Sequence, residues 1–184
     1  MLKYALLGFL SYSPLTGYEL KQRMDSSTNN FWNANLSQIY TSLKSLEEDG
    51  WVKSKIQAQD DKPDKRIYTL TDEGLSSLKM WLEEPITDPE QRKSTFLLKL
   101  FFSAKVDKET SLAQLRVSKN LHQREKERYK SEAQTSIKDI VATYPSMKKE
   151  AIFWEATRRF GELYEEMYVH WLSETIELIE NKMK

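Results

Sequence analysis

The sequence predicts a mainly α-helical protein with one small β-hairpin, and three observations predict it. Two capping boxes stand close together, Thr16-Gly17-Tyr18-Glu19 and Asn35-Leu36-Ser37-Gln38. In each, the cap side chain and a carboxylate or amide three residues on satisfy the first free N–H groups of a helix. Two runs of β-branched and aromatic residues, Trp51 to Ile56 and Lys65 to Leu70, flank a polar loop containing proline, which reads as a hairpin with a long tip. Residues 91–184 read as almost wholly helical, with a single break at Tyr144-Pro145-Ser146.

The first helix lies in the apolar run Met1 to Leu10, which ends at the turn Ser13-Pro14-Leu15. A second helix starts at Gly17 behind its capping box and runs to about Asp25, followed by a polar turn over residues 26–30. A third runs from Leu36 to about Glu48, where Asp49-Gly50 closes it with a left-handed glycine. The hairpin follows, and Thr71-Asp72-Glu73 caps a fourth helix over residues 72–84. Helix, helix, turn, helix, hairpin, helix is the order of a winged helix-turn-helix, with the two-stranded hairpin as its wing. The chain therefore divides into a DNA-binding domain at 1–84, a two-proline hinge at 85–90 and an all-α domain at 91–184 that dimerises and has room for an effector.

Composition narrows the function classes. The 184 residues are 39% hydrophobic and 30% charged, a globular rather than a disordered balance. Without cysteine there are no disulfides, thiolate metal sites or cysteine nucleophile. His122 and His170 lie far apart, with no serine or carboxylate motif around either, and read as structural. The five glycines never form a phosphate-binding loop, so no enzyme, metal or cofactor is expected. The N-terminal apolar run is too short to span a bilayer and has no long basic segment or cleavage site. It reads as a buried helix of a cytoplasmic protein. The 28 basic and 28 acidic residues cancel, which excludes a bulk polyelectrolyte binder but not specific recognition through a local basic face.

On a wheel at 100° per residue, Leu36, Ile39, Leu43 and Leu46 of the third helix fall on one side and form its core face. Ser37, Gln38, Thr41, Lys44, Ser45 and Glu48 fall opposite, with Tyr40 at the border. An amide able to pair with adenine, a lysine for guanine or phosphate, and small hydroxyl residues suit the major groove. The free N–H groups near Leu36 and Ser37 suit a phosphate. The hairpin places Lys53, Lys55, Lys62, Lys65 and Arg66 against Asp60, Asp61 and Asp64, a positive wing of the kind that follows the phosphate backbone. With Tyr18 of the first capping box, the candidate DNA-contacting set is Tyr18, Ser37, Gln38, Tyr40, Thr41, Lys44, Ser45, Lys62, Lys65 and Arg66. Residues 1–84 hold ten basic and twelve acidic groups, so two copies at a fixed spacing are needed for useful affinity. An amphipathic surface helix has a polar outer face in any protein, and a winged-helix module that binds protein rather than DNA stays open as an alternative.

At these residues the sequence resembles the PadR family of bacterial transcriptional regulators. The resemblance rests on Leu6-Leu7-Gly8-Phe9-Leu10, Leu15-Thr16-Gly17-Tyr18-Glu19-Leu20, Phe31-Trp32, Ser37-Gln38-Ile39-Tyr40, the run Leu43 to Gly50, and the run Lys65 to Gly74, in order across most of residues 1–80. Where the family usually has proline after the motif's tyrosine, Thr41 stands here. The second half resembles the larger subfamily with a long helical C-terminal domain, at Phe96 to Phe102 and Tyr168 to Leu172. The resemblance implies a homodimer on an inverted repeat of double-stranded operator DNA, usually acting as a repressor. It also implies release, in some members, by phenolic acids or other aromatic small molecules.

In the helical half, Phe160, Tyr164, Met167, Trp171 and Leu178 make a heptad-like seam. It reads either as intramolecular core or as a dimer interface with exchanged arms, and Phe160, Met167 and Leu178 are its dimerisation candidates. Trp154, Arg158, Tyr164, Tyr168 and Trp171 are candidates for an effector pocket, aromatic walls with one arginine for a planar carboxylated ligand. Aromatic residues at this spacing equally form core.

Overall fold

The computed structural model describes residues 1–29, 31–58, 64–88 and 93–183. The chain divides into two compact units, Met1–Glu90 and Gln91–Lys184. Lys62 and the end of the hinge, residues 89 and 90, lie outside the described residues.

The first unit is built on one aliphatic cluster. Helix α1 (Leu2–Leu10) buries Leu6, Leu7 and Leu10, and a short strand β1 (Leu15–Thr16) leads into α2 (Gly17–Ser27), which buries Leu20 and Met24. Helix α3 (Leu36–Glu48) buries Ile39, Leu43 and Leu46 in the same cluster. Strands β2 (Val52–Gln57) and β3 (Lys65–Leu70) form the hairpin, and α4 (Asp72–Glu83) closes the unit against α1. Gly50 takes the left-handed conformation, φ 74°, that ends α3.

Three details differ from the sequence expectation. The sheet has three antiparallel strands in the order β1-β3-β2, because Leu15 and Thr16 pair with Tyr68 and Ile67. Two residues are too few to show the alternation that marks a strand. Helix α2 runs on to Ser27, and Ser26 and Ser27 donate their hydroxyls back to the Arg23 carbonyl at 3.1 and 2.6 Å, which lets these polar residues sit in the last helical turn. Leu36, expected in the core, is 37% exposed. A wheel assigns a face but does not locate where the neighbouring helices stop covering it.

The second unit is helical, with more interruptions than expected. Ser94 caps α5 (Thr95–Phe101), a 3₁₀ turn follows at Ser103–Lys105, and Asp107 caps α6 (Lys108–Arg128). A π-helical turn at Tyr129–Ala133 joins α6 to α7 (Gln134–Thr143). A second 3₁₀ turn at Pro145–Met147 leads into the 35-residue α8 (Lys148–Lys182). Both α6 and α7 pack along α8, with Leu112, Leu115, Ala151 and Leu172 buried.

The junction at the π turn is held by a buried arginine. Arg158 is 7% exposed. Its Nε and Nη2 donate to the two carboxylate oxygens of Glu155 at 2.8 Å each, and its Nη1 donates to Glu162 and to the Tyr129 carbonyl, again at 2.8 Å. The Tyr129 ring lies over Gly161, where a Cβ would overlap it. Hydrogen bonds from Arg158 are the main cause holding both the Glu155 and Glu162 carboxyls below the ordinary glutamate range.

Arg158→Met removes this cation and leaves Glu162 with only Arg159, 3.0 Å away, as its partner. The expected cost is about 2 kcal/mol, read by urea denaturation at about pH 7. Because both carboxyl pKa values are lowered on folding, the stabilisation is present above the glutamate range and lost as pH falls through the lowered values. The variant should lose that part of the acid dependence. An unchanged midpoint with an unchanged acid limb would show the network to be inert.

Candidate nucleic-acid interface

The orientation of α3 follows from its two ends and its buried stripe. At its start the Asn35 side chain accepts from the Gln38 N–H at 2.9 Å, and the Gln38 side chain accepts from the Asn35 N–H at 2.9 Å. With Ile39, Leu43 and Leu46 inward, Ser37, Gln38, Thr41, Lys44, Ser45 and Glu48 are all exposed. The outward face is the one that the wheel assigns.

The cap alters what that face can offer. Gln38 already uses one lone pair of its carbonyl oxygen on the Asn35 N–H, so its two amide donors and a single remaining lone pair are left for a base edge while the cap is closed. Thr41 donates its hydroxyl to the Ser37 carbonyl at 2.9 Å and turns its methyl and acceptor lone pairs outward. Lys44 is 79% exposed and only loosely paired with Glu48 at 3.8 Å. Pairs of this kind contribute little and yield readily to a phosphate.

The first capping box fixes α2. The Glu19 N–H donates to the Thr16 hydroxyl oxygen at 3.2 Å, and the Glu19 carboxylate accepts from the Thr16 N–H at 2.7 Å and its hydroxyl at 2.8 Å. The bond from the Thr16 backbone is the largest cause lowering the Glu19 pKa. Tyr18, next in the first turn of α2, is exposed. Tyr40 packs on α2 at Gly17, where an added Cβ would stand 2.5 Å from its Cε1. Glycine leaves room for this ring, so Tyr40 packs the two helices of the motif together while 44% of it stays exposed.

The hairpin register sorts the wing residues by face. Lys53 pairs with Thr69, Lys55 with Ile67, and Gln57 with Lys65. Side chains alternate across a strand, so Lys53, Lys55 and Lys65 share one exposed face. Ser54, Ile56, Arg66 and Tyr68 share the other, where burial is the main cause raising the Tyr68 pKa. Arg66 does not stand with the lysines. Its guanidinium folds back to Glu47 of α3 at 2.5 Å and to Ser54 at 2.8 Å. Strand parity in the sequence already separates Lys65 from Arg66, whereas the placing of Lys53 and Lys55 with Lys65 depends on the register. The distance of 19 residues between Arg66 and Glu47 carries no sequence signal.

In the helical unit, Tyr164, Tyr168 and Trp171 of α8 do come together. The Tyr164 and Tyr168 ring centroids lie 5.0 Å apart, and Tyr168 and Trp171 5.7 Å. His122 of α6 stacks on Tyr168 at 4.2 Å while its Nδ1 meets Glu165 at 2.5 Å, and Phe96 of α5 meets Trp171 edge-on at 6.2 Å. Arg158, expected to anchor a ligand carboxylate, is buried and bonded to Glu155, Glu162 and Tyr129, so that role is corrected. The seam also divides. Tyr164 and Trp171 are half-buried in the aromatic cluster, whereas Phe160, Met167 and Leu178 are 58%, 51% and 52% exposed, alongside exposed Phe153 and Leu163.

Two family models match the chain in succession, the transcriptional regulator PadR-like family over residues 6–80 and the virulence activator alpha C-terminal family over residues 92–180. The chain is thus similar to PadR-like transcriptional regulators over its first unit and to the virulence activator C-terminal domain over its second. It is 39% identical over 102 residues to the negative transcriptional regulator PadR of Bacillus subtilis, covering 55% of this chain and 56% of that protein. The chain thus spans about half the length of the curated relatives it matches. Among solved structures, Bacillus subtilis PadR in complex with operator DNA matches this chain with a TM-score of 0.83 and 26% identity, over 97% of each chain. The same Bacillus protein in complex with p-coumaric acid matches with a TM-score of 0.71 and 25% identity, over 98% of this chain and 99% of the other. No helix among the described residues is long and apolar enough to cross a membrane.

Gly17→Ala drives a methyl group into the Tyr40 ring and should destabilise the protein by about 1–2 kcal/mol. Gly8→Ala, with nothing within 4 Å of the new Cβ, should stabilise α1 by about 0.5–1 kcal/mol. Thermal denaturation of the pair checks this. Shifts of the same sign would show that Tyr40 does not depend on the glycine.

Proposed function

We propose that this chain is a non-enzymatic repressor of the cytoplasm that binds an inverted-repeat operator as a homodimer and is released by a phenolic-acid-like molecule. The observation that carries the reading is the juxtaposition on the first unit of an outward polar face on α3 (Ser37, Gln38, Thr41, Lys44, Ser45) with a hairpin face bearing Lys53, Lys55 and Lys65. The first can enter the major groove and read base edges, and the second can follow the flanking phosphates. The solved complex of Bacillus subtilis PadR with operator DNA supports this assignment. Residues 1–84 would then be the DNA-binding domain, 85–90 its hinge, and 91–184 the dimerisation and effector domain.

Dimerisation is supported by the exposed stripe Phe153, Phe160, Leu163 and Met167 on α8, spaced 7, 3 and 4 as in a two-helix seam. Leu178 extends it toward the C-terminal end. Release by an aromatic acid is supported by the p-coumaric acid complex of Bacillus subtilis PadR and by the cluster of Tyr164, Tyr168 and Trp171. Trp154 belongs to the same proposed effector region. Arg158 belongs to the framework rather than to the ligand.

Fluorescence anisotropy on a duplex from the protein's own upstream DNA tests the reading. Gln38→Ala should cost about 1–3 kcal/mol on the operator and little on scrambled DNA, while Lys44→Ala should weaken both and lower the salt slope by about one. Added p-coumaric acid should release the bound duplex. If the wild-type chain shows no salt-sensitive binding, or if alanine at both positions changes nothing, α3 is not a reading helix and the motif serves protein contacts instead.

A further inference from the structure

A closed ring of hydrogen bonds joins the last turn of α3 to both strands of the hairpin. Ser54 of β2 donates its hydroxyl to Glu47 Oε1 at 2.5 Å, Arg66 Nη2 of β3 donates to Glu47 Oε2 at 2.5 Å, and Arg66 Nε donates to Ser54 Oγ at 2.8 Å. The Arg66 guanidinium also lies 5.6 Å from the centroid of the buried Tyr68 ring. Both Glu47 oxygens, the Ser54 hydroxyl and two edges of the guanidinium are therefore engaged at once. On the wheel Glu47 lies on the stripe of Leu36 and Tyr40, away from the outward polar face. Its carboxylate is directed at the hairpin rather than at a groove.

Two roles are open to an arginine on a wing, and they differ in charge. As a phosphate contact, Arg66 would either turn its remaining Nη1 donors outward beside Glu47 or leave Glu47 altogether, and both arrangements set a carboxylate close to the polyanion, which is repulsive. As a brace, it neutralises Glu47 and adds little to the field that phosphates feel. It also fixes the angle between α3 and the hairpin. That angle decides where Lys53, Lys55 and Lys65, on the opposite hairpin face, point while α3 sits in the groove. We propose that Glu47, Ser54 and Arg66 are positioning residues that lock the wing to the reading helix, and that Arg66 is not itself a phosphate contact. This rests on the DNA-binding reading above. Its physical content is a network of charge-assisted bonds across elements distant in sequence, which pre-orients cations that would otherwise be ordered only on binding.

A double-mutant cycle on the full chain tests it, with Glu47→Ala, Arg66→Ala and both together. Operator affinity is measured by anisotropy over a range of salt, and exchange of the β2 and β3 amides is measured without DNA. Each single variant should weaken operator binding by about fivefold, and the double variant should be no weaker than either, the sign of a coupled pair. The salt slope should stay that of the wild type, because no phosphate contact is lost. Both variants should speed exchange of the hairpin amides. A salt slope lowered by about one in Arg66→Ala, with tighter binding in Glu47→Ala, would overturn the proposal and make Arg66 a phosphate contact held back by Glu47. Unchanged hairpin exchange in both variants would overturn it whether or not DNA binds. Absence of salt-sensitive binding by the wild type would sink the DNA-binding reading and leave the brace to be decided by exchange alone.

Discussion

Burial of Ile39, Leu43 and Leu46 is the constraint on which the first unit depends. Each is fully buried in the cluster shared with α1 and α2, and removing such a side chain from water contributes about 2 kcal/mol. A rotation of α3 by one residue would take at least one of them out and put a serine or lysine in. The helix therefore has one rotational setting. Its outward face is a consequence of its inward one, and the same cluster places the hairpin base through Val52 and Tyr68.

Within that setting, the local bonds limit what chemistry remains at the surface. The cap engages the Gln38 carbonyl, the helix engages the Thr41 hydroxyl, and Glu47 engages Arg66. What stays outward is an amide with its donors, a methyl group, small hydroxyls and one lysine. Such a surface supplies shape and a few directed bonds rather than strong electrostatic attraction. That agrees with a first unit that has no excess of basic residues.

Much of this was legible in the sequence because the information is local. Capping boxes, a left-handed glycine after Asp49 and a period of 3.6 are all written within a dozen residues, and the elements of the first unit follow from them. The outward face of α3 was legible for the same reason. Elements held by distant partners were not. The strand at Leu15–Thr16 exists only because β3 lies beside it, Leu36 is exposed only because its neighbours end, and Arg66 turns inward only because Glu47 is there. Arg158 is the clearest case. By composition it stood among aromatic residues as a ligand anchor, and only packing shows its donors taken by Glu155, Glu162 and a backbone carbonyl.

The π-helical turn at Tyr129–Ala133 shifts the phase of the helix that it interrupts. A turn of this kind holds one residue more than an α-helical turn, so everything after it is out of phase with what came before. Deleting one residue there would give a continuous α-helix and would rotate α7 by about 100° about its own axis. Ile137 and Val141, half-buried in the helix that packs along α8, would swing to a different bearing. Length variation among relatives should therefore be absorbed elsewhere in the helical unit, at the turns around Ser103–Lys105 and Pro145–Met147, where no phase has to be kept.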